Sequence, residues 1–170
     1  ISSKTLNSDN PKLNCRINGL QKFSPKRIIL DRMLSIRFNS NIILTNKKNN
    51  TIIFYNKGNK KKIMKLKKKG IKLIKLPVKN NKFFDLNLIL KKIYLLGTRN
   101  LLVEGGMHLT NNFLKNKLFN KFYLYKGSYK LGSDGKINIS NTLKNLNLLY
   151  KRKSNINSFT GSDIINIYSN

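Results

Sequence analysis

The sequence predicts an α/β fold, a mixed sheet flanked by helices, and three observations carry that expectation. Short, β-branched apolar runs recur between turn residues, as buried strands require. Segments with helical apolar spacing alternate with them in the second half of the chain. The length of 170 residues suits one domain with a real core, although a hydrophobic content of 39% keeps that core modest.

The elements follow in order. Ser2 to Arg16 reads as a loop and a short helix. Arg27 to Asp31, Asn41 to Thr45, Thr51 to Tyr55 and Ile71 to Leu76 each read as a short strand, with Asn- and Lys-rich turns between them. Residues 63 to 69 fit helix or strand equally, and Gly70 ends them. Asp85 is a natural N-cap for a helix over Leu86 to Leu96, whose Leu86, Ile89, Leu90, Ile93 and Leu96 share a face before Gly97 stops it. Asn100 to Glu104 is a continuous apolar run ending in an acid, expected as a strand; Gly105 and Gly106 turn it into a helix over Met107 to Lys117. A strand over Lys121 to Tyr125, a loop over Leu131 to Gly135, and a terminal strand pair over Leu146 to Lys151 and Asp163 to Tyr168 complete the pattern. The sheet is therefore expected to be partly parallel and antiparallel towards its end.

Charge is the loudest feature of the composition. Lys and Arg number 35 against 6 Asp and Glu, a formal +29. That invites a basic polyanion- or nucleic-acid-binding reading, which is the rival from another class. The chain has no Ala, 29 Lys against 6 Arg and abundant Asn, the signature of A- and T-rich codon usage. The densest run, Lys60 to Lys69, holds no Arg for bidentate base reading and no aromatic on which a base could stack. We read it as solvated surface. One Cys (Cys15) and one His (His108) provide neither a disulfide nor a Cys/His zinc site, so no metal is expected. No apolar stretch is long enough for a membrane span and no signal peptide opens the chain, so a cytoplasmic setting is expected.

Two constellations could carry chemistry. Glu104-Gly105-Gly106 leads from a predicted strand into a helix; the glycines permit close backbone approach, and the helix N-terminus favours an anionic phosphate. A G-x-G-x-x-G fingerprint is absent, so an ordinary dinucleotide fold is not indicated. A glycine-requiring turn explains the pair equally well. The second constellation is Thr5 to Arg16, where Asp9 precedes Asn10-Pro11 in what could be a simple turn.

The stretch Thr5-Leu6-Asn7-Ser8-Asp9-Asn10-Pro11-Lys12-Leu13-Asn14-Cys15-Arg16 resembles the T-V-L-x-D-[DN]-P-x-L-x-x-R segment of the riboflavin-biosynthesis pyrimidine reductases, the reductase half of the bifunctional deaminase-reductase. Ser24 to Asp31 is similar to that family's P-x-R-V-V-L-D strand, Leu101 to Leu109 to its L-L-V-E-G-G-x-x-L core, and Leu131 to Gly135 to its late glycine loop. Four motifs in order span nearly the whole chain.

The resemblance implies a dihydrofolate-reductase-like fold, a homodimer, and NADPH-dependent reduction of the ribose of 5-amino-6-(5-phosphoribosylamino)uracil to a ribityl chain. It implies that Thr5, Asp9 and Arg32 contact the cofactor and that Gly106, Met107, His108, Leu109, Thr110, Asn111 and Asn112 cradle its phosphates. It places Leu13, Arg16 and Glu104 at the substrate. Asp9 and Glu104 are then the candidate catalytic acids, and Arg16 the bidentate clamp for a sugar phosphate. Another dihydrofolate-reductase-like oxidoreductase is the rival within the class. The family's opening strand is expected before Ile1, so the chain is expected to be an N-terminally incomplete reductase domain over residues 1 to 170. The deaminase half, with its H-x-E and P-C-x-x-C zinc signature, is not found in these residues and is expected upstream or as a separate protein.

Overall fold

Three of the β-branched runs form a parallel sheet. β1 (Arg27–Leu30), β2 (Thr51–Tyr55) and β3 (Lys72–Lys75) lie in that order, with Ile28 opposite Ile52 and Ile53 opposite Leu73. Parallel neighbours need crossovers, and helices supply them: α2 (Asn41–Leu44) between β1 and β2, α3 (Lys60–Lys68) between β2 and β3. The computed structural model describes residues 1–47, 50–80, 83–129, 132, 140–150, 153–157 and 163–170. Within it the chain divides into two compact units, Ile1–Gly106 and Met107–Asn170.

Alternation along the strands gives the first unit's sheet two apolar faces. Ile29 and Ile53 bury one face together with Leu6 of α1 (Ser3–Asp9), Ile42 and Ile43 of α2, and Leu66 of α3. Ile52 and Phe54 bury the other with Ile89 and Ile93 of α4 (Leu86–Leu95). Asp85 caps α4 as expected, accepting the amides of Asn87 and Leu88, and Gly97 follows it at φ 84°. A two-rung hairpin of β4 (Val78–Lys79) and β5 (Phe83–Phe84) precedes α4.

The second unit packs helices against an antiparallel sheet. β6 (Lys121–Lys126), β8 (Ile164–Ser169) and β7 (Lys153–Asn157) pair in that spatial order. Leu114 of α5 (Met107–Lys115), Leu146 of α6 (Ser140–Leu149), Tyr150 and Tyr168 form its core, bordered by Phe119, Phe122 and Leu124. The Tyr150 hydroxyl donates to the Leu114 carbonyl at 3.2 Å, so its buried oxygen is satisfied.

Three sequence expectations are corrected. Asn41 to Thr45 is a helical turn, not a strand: Leu44 and Thr45 amides bond back to the Ser40 and Asn41 carbonyls. Adjacent Ile42 and Ile43 are both buried, which one helical turn allows and strand alternation forbids. Leu146 to Tyr150 is not a strand either, since Leu146 to Leu149 close α6, and the rest of that expected strand, Lys151, lies outside the described residues; Thr142, Leu146 and Tyr150 are buried at a spacing of four, a helical stripe. Asn100 to Glu104 joins no strand ladder, and Leu102 is 77% exposed. A continuous apolar run makes a buried strand only where a partner covers it, and none of the described strands does. Of the ambiguous residues 63 to 69, Ile63 to Lys68 belong to α3 and Lys69 is its C-cap. The expected Leu131 to Gly135 loop lies outside the described residues except for Gly132.

Asp85 also pairs with Lys79 at 2.8 Å. The Lys79 hydrogen bond, with help from the Leu88 and Asn87 amides, holds its carboxyl below the usual carboxylate range. A depressed folded-state pKa stabilises above the unfolded value and stops doing so as pH falls through the folded one. Asp85→Asn keeps a capping oxygen but loses the pair. It should melt about 2 °C below wild type at pH 7, and the difference should fade as pH falls through the lowered Asp85 pKa in paired thermal melts.

Candidate active site

Parallel sheets present ligands at the carboxyl ends of their strands. Here that end is occupied by the start of α1. The Leu30 amide donates to the Ile1 carbonyl at 2.9 Å, and Ser2 forms a parallel bridge with Leu30. Ser2 is also the N-cap of α1: its Oγ accepts the Thr5 amide at 3.4 Å and shares a 3.2 Å hydrogen bond with the Thr5 hydroxyl. Thr5 therefore has a defined orientation. A Cβ added at Gly106 would lie 3.2 Å from the Thr5 Oγ1, so the backbone at the second glycine of the pair passes close to that hydroxyl.

Glu104 stands exposed two residues before Gly106. Asp9 is the last residue of α1, exposed, accepting the Ser8 hydroxyl. It cannot close an Asx-turn to the second residue after it, because Pro11 has no N–H. A carboxylate at a helix C-terminus also opposes the dipole. Neither turn nor helix stability explains Asp9.

The structure thus brings Thr5 and Gly106 together. Leu13 adopts φ 48° and packs partly on the first unit's core, whereas Arg16 is exposed in the following loop. Arg32 follows β1, its carbonyl accepting the Asn56 and Lys57 amides at 2.9 Å. Met107 to Asn112 form the first turns of α5, directly after the glycines. Asn112 Nδ2 donates to the His108 carbonyl and Asn111 Oδ1 accepts the Thr142 hydroxyl, so both amide side chains are engaged within the second unit. An anion at this helix start would meet backbone N–H groups first. Ser2 was not singled out in the sequence; a Ser three residues ahead of Thr5 at a helix start is the capping signal that identifies it.

A model of the RibD C-terminal domain matches residues 1–158. The chain belongs to the RibD C-terminal domain family. That match runs through both compact units and includes Thr5 to Arg16 as well as Glu104-Gly105-Gly106. No curated protein matches by sequence. Among solved structures the chain is similar to RibD of Acinetobacter baumannii, at 18% identity and a TM-score of 0.71, covering 99% of this chain and 45% of that one. It is also similar to a pyrimidine reductase-like protein from Corynebacterium diphtheriae, at 15% identity and a TM-score of 0.69, covering 99% of this chain and 73% of that one. The family fold is thus present over a chain that spans less than half the Acinetobacter protein.

The lysine run takes a different place. In α3 the apolar Ile63 and Leu66 turn to the core and most of the lysines to solvent. The Lys62 and Lys65 ammonium groups lie 5.7 and 6.0 Å from the Phe38 ring centroid. Among the described residues, no helix is long and apolar enough to cross a membrane and no cluster of His, Cys, Asp or Glu could hold a metal.

The Thr5 to Gly106 approach is testable without any ligand. Gly106→Ala should destabilise by about 1 kcal/mol through the added methyl. Thr5→Ala in the same chain should recover at least about 0.5 kcal/mol of that in urea denaturation. Strictly additive effects would mean the two residues do not meet.

Proposed function

We propose that this chain is the reductase domain of riboflavin biosynthesis. It reduces the ribose of 5-amino-6-(5-phosphoribosylamino)uracil to the ribitylamino product, with NADPH as reductant. The observation that carries this reading is the family match over residues 1–158, which holds both candidate constellations on one chain.

The residues present fit such a cofactor. Gly106 leaves room beside the Thr5 hydroxyl that a Cβ would fill, and a nine-residue helix starts at the next residue. The family resemblance assigns the backbone amides from Gly106 onwards to phosphate oxygens, and Thr5, which Ser2 orients, to the nicotinamide end. NADPH, when bound, supplies the hydride that the sugar carbon accepts. The protein's remaining tasks are to hold the sugar and to provide a proton for the ring oxygen released as the carbon–oxygen bond opens. Arg16 serves the first as a guanidinium for the sugar phosphate, with Leu13 beside it in the same loop. Asp9 and Glu104 serve the second, as carboxyls that deliver or orient that proton. The homodimer, and a deaminase upstream or separate, belong to the same reading, as does a cytoplasmic setting.

NADPH should bind saturably at physiological salt, by cofactor fluorescence, and duplex DNA should not compete. Asp9→Asn and Glu104→Gln should each lower kcat by roughly 100-fold or more with the melting temperature unchanged. Substituting lysines across Lys60 to Lys69 should leave turnover within about twofold, because those side chains are assigned no step. Unchanged turnover in both acid variants would remove them from the mechanism. Absent NADPH binding, with DNA binding that persists at physiological salt, would replace the reading with a polyanion binder.

A further inference from the structure

The loop that carries Leu13 and Arg16 is gripped from both ends of α2. At the helix start, the Asn41 backbone amide donates to Asn10 Oδ1 at 2.8 Å and Asn41 Nδ2 donates to the Asn10 carbonyl at 2.7 Å. The two asparagines, 31 positions apart, close a two-bond pair in which Asn41 donates both times. Just past the helix end, Thr45 accepts from the buried Arg27 guanidinium through Oγ1 at 2.7 Å and through its carbonyl at 3.2 Å. The same guanidinium reaches the Lys12 carbonyl at 3.3 Å. Ile42 and Ile43, buried in the core, anchor the short helix between the two grips.

What is gripped is conformationally costly. Asn10 and Leu13 sit at φ 43° and 48°, two non-glycine residues in the left-handed region within four positions. Asparagine tolerates that region, but leucine does so only when its surroundings impose it. Strained backbone held on both sides is the arrangement expected where a loop must present side chains in a set direction. Neither Asn41 nor Arg27 has a reactive group near Gly106 in any contact described above; their effect passes through the loop.

We propose that Asn41 is a positioning residue for the substrate, holding the Asn10 to Arg16 loop in the conformation from which Leu13 and Arg16 engage the phosphoribosylaminopyrimidine. The inference rests on the reductase reading for what the loop binds, and on the hydrogen bonds alone for what holds it. The buried Arg27 is the second grip, and its variants would disturb folding, so Asn41 is the residue to change.

Two substitutions separate positioning from plain stabilisation. Asn41→Ala removes the side-chain donor. Asn41→Asp puts a carboxylate against the Asn10 carbonyl and replaces attraction by repulsion, yet as the first residue of a helix it favours the helix itself. Positioning predicts that KM for the pyrimidine rises about fivefold in Asn41→Ala and about 20-fold in Asn41→Asp, with kcat and the KM for NADPH within about twofold. The melting temperature should stay within about 2 °C, and hydrogen exchange over residues 12 to 17 should quicken in the same order. A merely structural role reverses the order of the two variants and lowers stability and every kinetic constant together, which would overturn the proposal. Unchanged exchange and unchanged KM would overturn it too, with the reductase reading left standing. A wild-type chain without turnover whose loop exchange still quickens in both variants would keep the grip and remove the reductase reading.

Discussion

A loop at the carboxyl end of a parallel strand can only be as well placed as its attachment to that strand. In this protein the attachment is backbone pairing between Ile1-Ser2 and the end of β1, where the Leu30 amide meets the Ile1 carbonyl at 2.9 Å. From that rung α1 starts level with the sheet's edge, Ser2 caps it, and Thr5 comes to lie against Gly106. The next residue along β1 extends the platform. Buried Asp31 donates its amide to the Phe54 carbonyl, and its carboxylate accepts the amides of Ser35 and Ile36 and the Ser35 hydroxyl. The loop carrying Arg32 is thereby tied to itself. Leu34 within it packs where Gly58, after β2, leaves no room for a Cβ. Among the described contacts, backbone and neutral donors set this end of the sheet.

The same economy of charge runs through the molecule. Between described residues, Lys79 pairs with Asp85 near the surface. Arg27, 3% exposed, takes four neutral oxygens from Lys12, Thr45 and Asn50, and burial lowers its pKa. A buried cation needs its donors satisfied, and carbonyl, hydroxyl and amide oxygens do that for Nη1 and Nη2, while Nε is buried without a partner among the described residues. Asparagine supplies much of the side-chain bonding to the backbone. Asn59 caps α3, Asn46 and Asn56 donate to the Lys69 and Leu76 carbonyls, and Asn170 to that of Lys117. An amide both donates and accepts, so it closes such contacts without adding or cancelling charge.

Legibility in the sequence followed the same physics. β1, β2 and β3 were readable because each is a β-branched run bounded by turn residues, and α4 because an acid cap, an apolar stripe and a stopping glycine agree. α2 was not, because three apolar residues in a row carry no period, and only the buried neighbour pair Ile42 and Ile43 distinguishes turn from strand. α6 held a readable stripe in Thr142, Leu146 and Tyr150, hidden by the Leu-Leu-Tyr run at its end. Glu104-Gly105-Gly106 was visible as a turn, but its apolar lead-in overstated the strand. Thr5 and Gly106 stand about a hundred residues apart in the chain, and no local pattern joins them; the motif resemblance did. Asn41 was invisible among so many asparagines, since a residue type that composition favours everywhere carries little signal at any one place.

That scarcity of acids turns into an argument about Asp9 and Glu104. Of the six acids, Asp134 lies outside the described residues. Asp31 ties the loop after β1, Asp85 caps α4, and Asp163 accepts the Ser128 amide. Each of those three has backbone work that a neutral side chain could do only in part, because a carboxylate accepts more strongly from N–H groups. Asp9 ends a helix whose dipole it opposes, and Glu104 is exposed beside the glycine turn. In a chain whose composition replaces acids with amides almost everywhere, a carboxylate without a folding role is retained at a cost in local electrostatics or for its own chemistry. The positions of these two, one at each constellation that the family match covers, favour the chemistry.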